Sequence, residues 1–381
     1  MQSFKNLIYR ISILLFYFCY LNSSAQKKLP LFKDVKDNQF DVSNFLNSTA
    51  GFLPVPIIIT EPAVGYGGGL ILAYFHKKKK GDSRPLGLSP TITFGGGAYT
   101  DNGTWAGFLG HKGSYHKDNI RYLGVAGYVS PNLTFYGSAL AGITDRKYEF
   151  NMQGFATLQE ILFRVKKEIP LFVGLNYIYF DNTISFTKQI EIPDLGVINN
   201  EIKNAGLNAV VEWDNRNNSL SPSKGLKTVL QTGAYSTIFG GDRDYWDLQS
   251  RTYGYIPVID RKLFSGYRLQ IDSSSSETPF YALPFITLRG IPALRYQGNN
   301  VITIETEWRW KLVNRWSLVG FVGAGDAMET YADFGKEIKV AGGTGFRYLL
   351  ARQYGLQAGI DIARGPEQWA WQFTVGSNWG R

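Results

Sequence analysis

Arg289 and Gly290 stand in the segment Leu288-Arg289-Gly290-Ile291-Pro292, inside the longest gap between two strand-patterned stretches. A guanidinium is a rigid fork of donors that can grip carboxylates two at a time. The stretch after it, Ile302 to Leu312, alternates with one weak member, Thr306. Ile302, Ile304, Trp308, Trp310 and Leu312 share one face, and Thr303, Glu305, Glu307, Arg309 and Lys311 share the other. Successive strand residues point to opposite faces, so this pattern puts aromatics on one side of a wall and charges on the other. An arginine-bearing loop leading into such a strand implies a membrane barrel with the loop folded inside it.

Other reactive residues offer less. The histidines are His76, His111 and His116, and none has a serine and an acid at a spacing that suggests nucleophilic catalysis. They read as turn and interface-belt residues, and no enzyme is expected. No cluster has metal-ligand spacing. Gly65-Tyr66-Gly67-Gly68-Gly69 lacks the Gly-Lys-Ser/Thr and the helix of a phosphate loop. No cofactor is expected.

The elements that position Arg289 follow from period-two patterning. Trp369, Trp371, Phe373 and Val375 oppose Gln372 and Thr374, with Trp379 extending the aromatic series. Leu207, Ala209, Val211 and Trp213 oppose Asn208, Glu212 and Asp214. Turn signals divide the chain into sixteen candidate strands, from 54–61 to 368–379. Short connections at 166–168, 260–261, 313–314 and 352–353 alternate with long ones at 130–146, 187–202, 275–298 and 326–336. Short periplasmic turns, longer outer loops and an even strand count are the pattern of a single-chain outer-membrane barrel. The expected fold is all-β, a 16-stranded antiparallel transmembrane barrel with an inward-folded loop between strands 11 and 12.

Residues 1–25 read as a secretory signal. Lys5 and Arg10 precede the apolar run Ile11 to Leu21, and Ser23-Ser24-Ala25 is a small-residue cleavage site. The run is too short to span a bilayer as a helix, which takes ~20 residues. Cleavage after Ala25 would leave 38 basic and 31 acidic residues, a net charge of +7, and remove the single cysteine, Cys19. Disulfide and thiolate chemistry are then excluded. The basic residues are scattered except for Lys77 to Lys80, and export argues against nucleic acid. Outer-membrane lipid and lipopolysaccharide headgroups are the expected partners of that charge. Residues 26–50 carry no strand pattern and form a short lead-in anchored by Leu29, Leu31, Phe32, Phe40 and Phe45; residues 51–381 form the barrel.

On these motifs the chain resembles the BamA/TamA-type bacterial surface-antigen barrel family, over roughly Phe52 to Trp379. Leu288-Arg289-Gly290-Ile291 looks like the family's Arg-Gly loop motif. Asp214-Asn215-Arg216 with Pro222 and Gly225 resembles its periplasmic turn. Glu307-Trp308-Arg309 resembles the twelfth strand, and Phe321-Val322-Gly323-Ala324-Gly325 the thirteenth. The resemblance implies that Arg289 reaches into the barrel and pairs with Glu307. Position 323 is Gly where familiar members carry an acid, so one ion pair is expected where relatives use two. The family's POTRA repeats cannot fit in residues 26–50, which points to a POTRA-less subgroup.

The resemblance implies protein insertion, translocation or surface display at the outer membrane, by a monomeric barrel with client or assembly proteins as partners. Such a barrel needs a seam. Proline removes a ladder donor and belongs at edges; Pro54 and Pro56 fall in the first strand and Gly376 in the last. The first and last strands are therefore expected to share fewer hydrogen bonds than other pairs. The alternative is an outer-membrane pore or small-molecule transporter, since sixteen strands can enclose an aqueous channel.

Overall fold

The computed structural model describes residues 31–48, 52–76, 91–136, 147–186, 201–377 and 379. The expected signal at 1–25 lies outside the described residues, as do Leu29 and Lys77 to Lys80. A six-residue helix, α1 (Ser43–Ser48), precedes a wall of antiparallel strands. They are β1 (Phe52–Ile59), β2 (Gly67–Phe75), β3 (Ile92–Thr100), β4 (Trp105–Tyr115) and β5 (Ile120–Ser130, resuming as Asn132–Tyr136). Next come β6 (Lys147–Arg164), β7 (Leu171–Phe186), β8 (Glu201–Asp214), β9 (Gly225–Tyr235), β10 (Tyr245–Ile259) and β11 (Leu263–Ser274). The last are β12 (Asn300–Lys311), β13 (Trp316–Met328), β14 (Lys339–Ala351), β15 (Leu356–Arg364) and β16 (Trp369–Val375). Sixteen strands form a nearly closed barrel.

Each strand pairs with the next, and both halves of β5 pair with β6 across the break at Pro131, which has no N–H to give. The break also makes β5 longer than the expected strand at 118–129. Alternation sets the two faces. In β12, Val301, Thr303 and Glu305 are buried while Ile304, Trp308 and Trp310 stand out on the outer face. The short connections gather at one rim and the long ones at the other. At the short-turn rim His116, Lys117 and Asp118 are all left-handed. Asp118 stabilises that turn by accepting from Ser114 Oγ at 2.7 Å and from Arg121 Nε at 2.9 Å.

The interior is filled from the 275–299 connection. Its Ile286, Leu288 and Ile291 pack with Val301 and Ala341 on one wall, and its Leu294 packs with Tyr148, Phe150 and Ile184 on the other. The connection therefore supplies apolar surface that the charged inner face of the strands cannot.

β16 ends earlier than the pattern implied. The expected strand at 368–379 stops at Val375, because Gly376 turns left-handed at φ 83°. Trp379 is not part of the outer aromatic series. It is buried inside, above Gly266, where a Cβ would lie 2.7 Å from its ring.

The lead-in is held at the short-turn rim by one buried side chain, Arg315. Its guanidinium donates to Asp34 at 2.6 Å, to Asp37 at 2.8 Å and to Asp41 at 2.7 Å, and also to the Phe40 carbonyl at 3.2 Å. Arg352, in the β14–β15 turn, pairs with Asp34 and Asp37 as well. The hydrogen bond from Arg315 holds the Asp37 carboxyl down from 3.8 to about 2. A depressed carboxylate pKa stabilises the docked form above its ordinary value, and the effect is lost as pH falls through the folded value. Residues 31–48 are therefore predicted to resist pepsin near about pH 4 and to be clipped below about pH 2. Cleavage already complete at the higher pH would show that the segment is not held by this pair.

Candidate functional site

Around Arg289, at the tip of the 275–299 connection, the inner face of β11–β15 gathers Arg268 and Arg347 with three carboxylates, Glu305, Glu307 and Asp361. Arg289 Nε donates to Glu305 Oε1 at 2.8 Å, and its Nη1 donates to Glu307 Oε2 at 2.8 Å and to Asp361 Oδ2 at 3.0 Å. The guanidinium also lies 3.5 Å over the Phe321 ring. Arg347 grips Asp361 with both prongs, at 2.6 and 2.9 Å. Arg268 reaches Glu305 at 3.4 Å and the Thr287 carbonyl at 2.6 Å. Buried charges are tolerated when paired and hydrogen-bonded, and this set balances.

The local sequence explains how Arg289 gets there. Gly290 is left-handed at φ 93°, and a Cβ on it would lie 2.9 Å from the Gly365 nitrogen. A Cβ on Gly365 would in turn lie 2.2 Å from the Gly290 carbonyl. Two glycines thus let the connection cross the β15–β16 turn in direct backbone contact. Gly323 leaves room for Leu288, whose Cδ2 would be 2.6 Å from any Cβ there. An acid at 323 could not coexist with Leu288 in this position. The expectation of a single ion pair is corrected: three carboxylates meet Arg289, from β12 and β15. Asp326 takes no part, and instead accepts from the Gly335 N–H at 2.7 Å.

Glu305 is also reached from the opposite rim. Trp379 Nε1 donates to Glu305 Oε2 at 2.7 Å, and its ring packs against Tyr255 at 5.9 Å. The carboxylate therefore ties the connection, which enters from the long-loop rim, to the end of the chain, which enters from the short-turn rim. Beside it lies a cavity of about 290 Å³ that extends from Arg289 and Trp379 to Thr60 and Glu61.

At the seam, β1 pairs with β2 over eight residues and β16 pairs with β15 over seven. Among the described residues no ladder joins β1 to β16. They meet through the Phe373 N–H, 3.4 Å from Thr60 Oγ1, and through Tyr66 stacked on Trp371 at 5.7 Å. Pro54 and Pro56 sit opposite Leu72 and Leu70 on the exposed side of β1. Gly376 closes β16 by donating to the Gln357 carbonyl at 2.7 Å.

The 214–225 turn forms a second charged knot. Arg216 binds Asp214 bidentately at 2.8 and 2.9 Å. Gly225 is left-handed, and a Cβ on it would be 2.7 Å from the Asn215 carbonyl. The Pro222 carbonyl accepts from Arg309 at 3.3 Å, which brings the turn to β12.

Sequence reasoning places Glu305 on the inner face without naming it as a partner of the arginine, and Asp361 and Arg347 join it only in the folded barrel. It missed Arg268 and Trp379; the left-handed glycine at 376 is the signal that could have redirected the last tryptophan. It also left the histidines apart. His76 and His111 in fact share Thr93, at 2.8 and 2.7 Å, on the outer face.

Truncating Arg289 leaves three carboxylates facing one another without their shared counter-charge. Removing one partner of a buried pair costs about 3–5 kcal/mol. Arg289→Ala should therefore lower the temperature at which the folded band disappears on an unboiled gel. Arg289→Lys, a point charge without the fork, should fall between the two. An Arg289→Ala barrel as heat-resistant as the parent would show that the connection is not held here.

BamA from Haemophilus ducreyi lacking POTRA domains 1–3 aligns at a TM-score of 0.58 and 13% identity, over 86% of this chain and 70% of that one. CdiB from Acinetobacter baumannii aligns at 0.55 and 12%, over 85% of this chain and 59% of that one. CdiB from Escherichia coli aligns at 0.57 and 10%, over 85% and 62%. The chain thus spans about three-fifths of the two CdiB proteins. The sequence matches no family model and no curated protein. What it shares with BamA and CdiB is the fold, a sixteen-stranded antiparallel β-barrel.

Proposed function

We propose that this chain is an exported outer-membrane barrel of the BamA/TamA type that handles protein segments at its seam, for insertion, translocation or surface display. The observation that carries this reading is the β1–β16 junction, where the described residues form no ladder like those that join β1 to β2 and β15 to β16. An unpaired backbone group in lipid costs several kcal/mol, so an incomplete edge is a place where another strand can gain hydrogen bonds. The strands beside the seam are also short. β1 has eight residues and β16 seven, against eighteen in β6 and sixteen in β7. A spanning strand needs about 9–11 residues, so the apolar band is thinnest at the seam and would thin the bilayer there.

In this reading the short-turn rim faces the periplasm and the connection carrying Arg289 is an inward-folded plug, locked by Glu305, Glu307 and Asp361. The plug argues against a steady open pore. No catalytic role is proposed. The barrel works as a monomer, with client proteins and outer-membrane lipid as its partners.

Photocrosslinking from the seam tests the proposal. A benzophenone residue at Val55 or at Pro56, in cells, should capture discrete nascent outer-membrane proteins; one at Trp310, on a fully paired strand, should not. Equal capture at both positions, or none at the seam, would remove the seam role. Large, steady conductance of the intact barrel in a planar bilayer, unchanged by deleting 288–298, would favour the pore instead.

A further inference from the structure

The docked lead-in leaves a cluster of apolar side chains exposed. Val35 is 71% exposed, Phe40 51%, Phe32 46% and Leu31 43%. Val35 lies in a short turn closed by the Lys33–Phe40 bridge, and Leu31 and Phe32 lead into it, with Phe32 stacked on Phe40 at 6.1 Å. Arg315 and Arg352 hold that turn through three aspartates, so its exposure is not that of a loose tail. A rigidly held cluster of exposed apolar side chains marks an interaction surface.

Its position identifies what it meets. Tyr348, on the outer face of β14, donates its hydroxyl to the Phe40 carbonyl at 2.7 Å. Trp316, on the outer face of β13, lies 4.9 Å from the Tyr348 ring. The turn therefore continues the outer aromatic surface of the barrel at the short-turn rim, where aromatic residues seat at a membrane–water boundary. Lys33 and Lys36 are exposed on the same turn, placed for anionic headgroups.

We propose that residues 31–40 are a lipid anchor: Leu31, Phe32, Val35 and Phe40 enter the boundary between headgroups and acyl chains of the leaflet at the short-turn rim. This rests on the outer face being lipid-facing. The anchor fixes the chain ahead of β1 to the bilayer on the β13–β14 side, away from the seam. β1 would then be tethered through α1 and not by pairing with β16.

An environment-sensitive NBD dye tests this in lipid vesicles containing phosphatidylglycerol, with the full chain carrying Cys19→Ser. Three single-cysteine variants are compared: Val35→Cys on the turn, Leu269→Cys on the outer face of β11, and Ile238→Cys on an exposed loop. The anchor predicts a blue-shifted emission for Val35→Cys, with quenching by shallow doxyl lipid at least about twofold stronger than for Ile238→Cys. Water-like emission at Val35→Cys with lipid protection at Leu269→Cys overturns the anchor and leaves the spanning barrel intact. Water-like emission at both overturns the membrane reading itself. Protection at Val35→Cys that appears only on adding outer-membrane protein extract would assign the surface to a protein partner and overturn the lipid assignment.

Discussion

The Glu305 carboxylate is the point on which the interior depends. It is 2% exposed, and it accepts from Arg289, Arg268 and Trp379. A buried ionised carboxylate is costly unless its lone pairs are filled, and here they are filled by groups from three parts of the chain. The connection from the long-loop rim, the wall strand β11 and the chain end from the short-turn rim converge on one residue. Losing Arg289 or Arg268 removes counter-charge from Glu305, and losing Trp379 removes a hydrogen bond to it. Charge pairing at Glu305 therefore works beside the apolar packing that the connection makes with the two walls.

That arrangement accounts for a closed shape without a closed ladder. Among the described residues the seam between β1 and β16 is bridged by contacts that include the Phe373 N–H to Thr60 and the Tyr66–Trp371 stack. The connection contributes further: the Ala293 N–H donates to Glu61, just past β1, at 3.2 Å, and Arg295 and Tyr296 both reach Glu367, just before β16. The same connection thus touches both edges of the seam and the Glu305 node. Residues flanking both edges are thus held near each other through the interior.

The wall was legible in the sequence because alternation is local. Strand count, the facing of Glu307 and the long connection before β12 follow from period two and turn residues alone. Partner identity was not legible, because alternation assigns a face and not a neighbour. Arg289 and Asp361 are brought together across a register that only the assembled barrel defines. Gly323 was read as a missing acid, whereas its lack of a side chain admits Leu288. Trp379 has the parity of the outer aromatics, and only the left-handed turn at Gly376 sends it inward. Nothing local marks the three aspartates of the lead-in as partners of Arg315, some 280 residues away along the chain.

The central claim is that Glu305 couples the connection to the chain end. A double-mutant cycle in urea, with the barrel folded in vesicles, reads that coupling directly. Arg289→Ala and Trp379→Phe are made singly and together, and each cost to stability is taken from the unfolding midpoint and slope. Groups that share a partner are non-additive by about 0.5–3 kcal/mol, whereas independent sites add to within about 0.3–0.5 kcal/mol. The structure predicts an interaction energy in the first range. Costs that simply add would mean that the connection and the Trp379 segment are not coupled at Glu305.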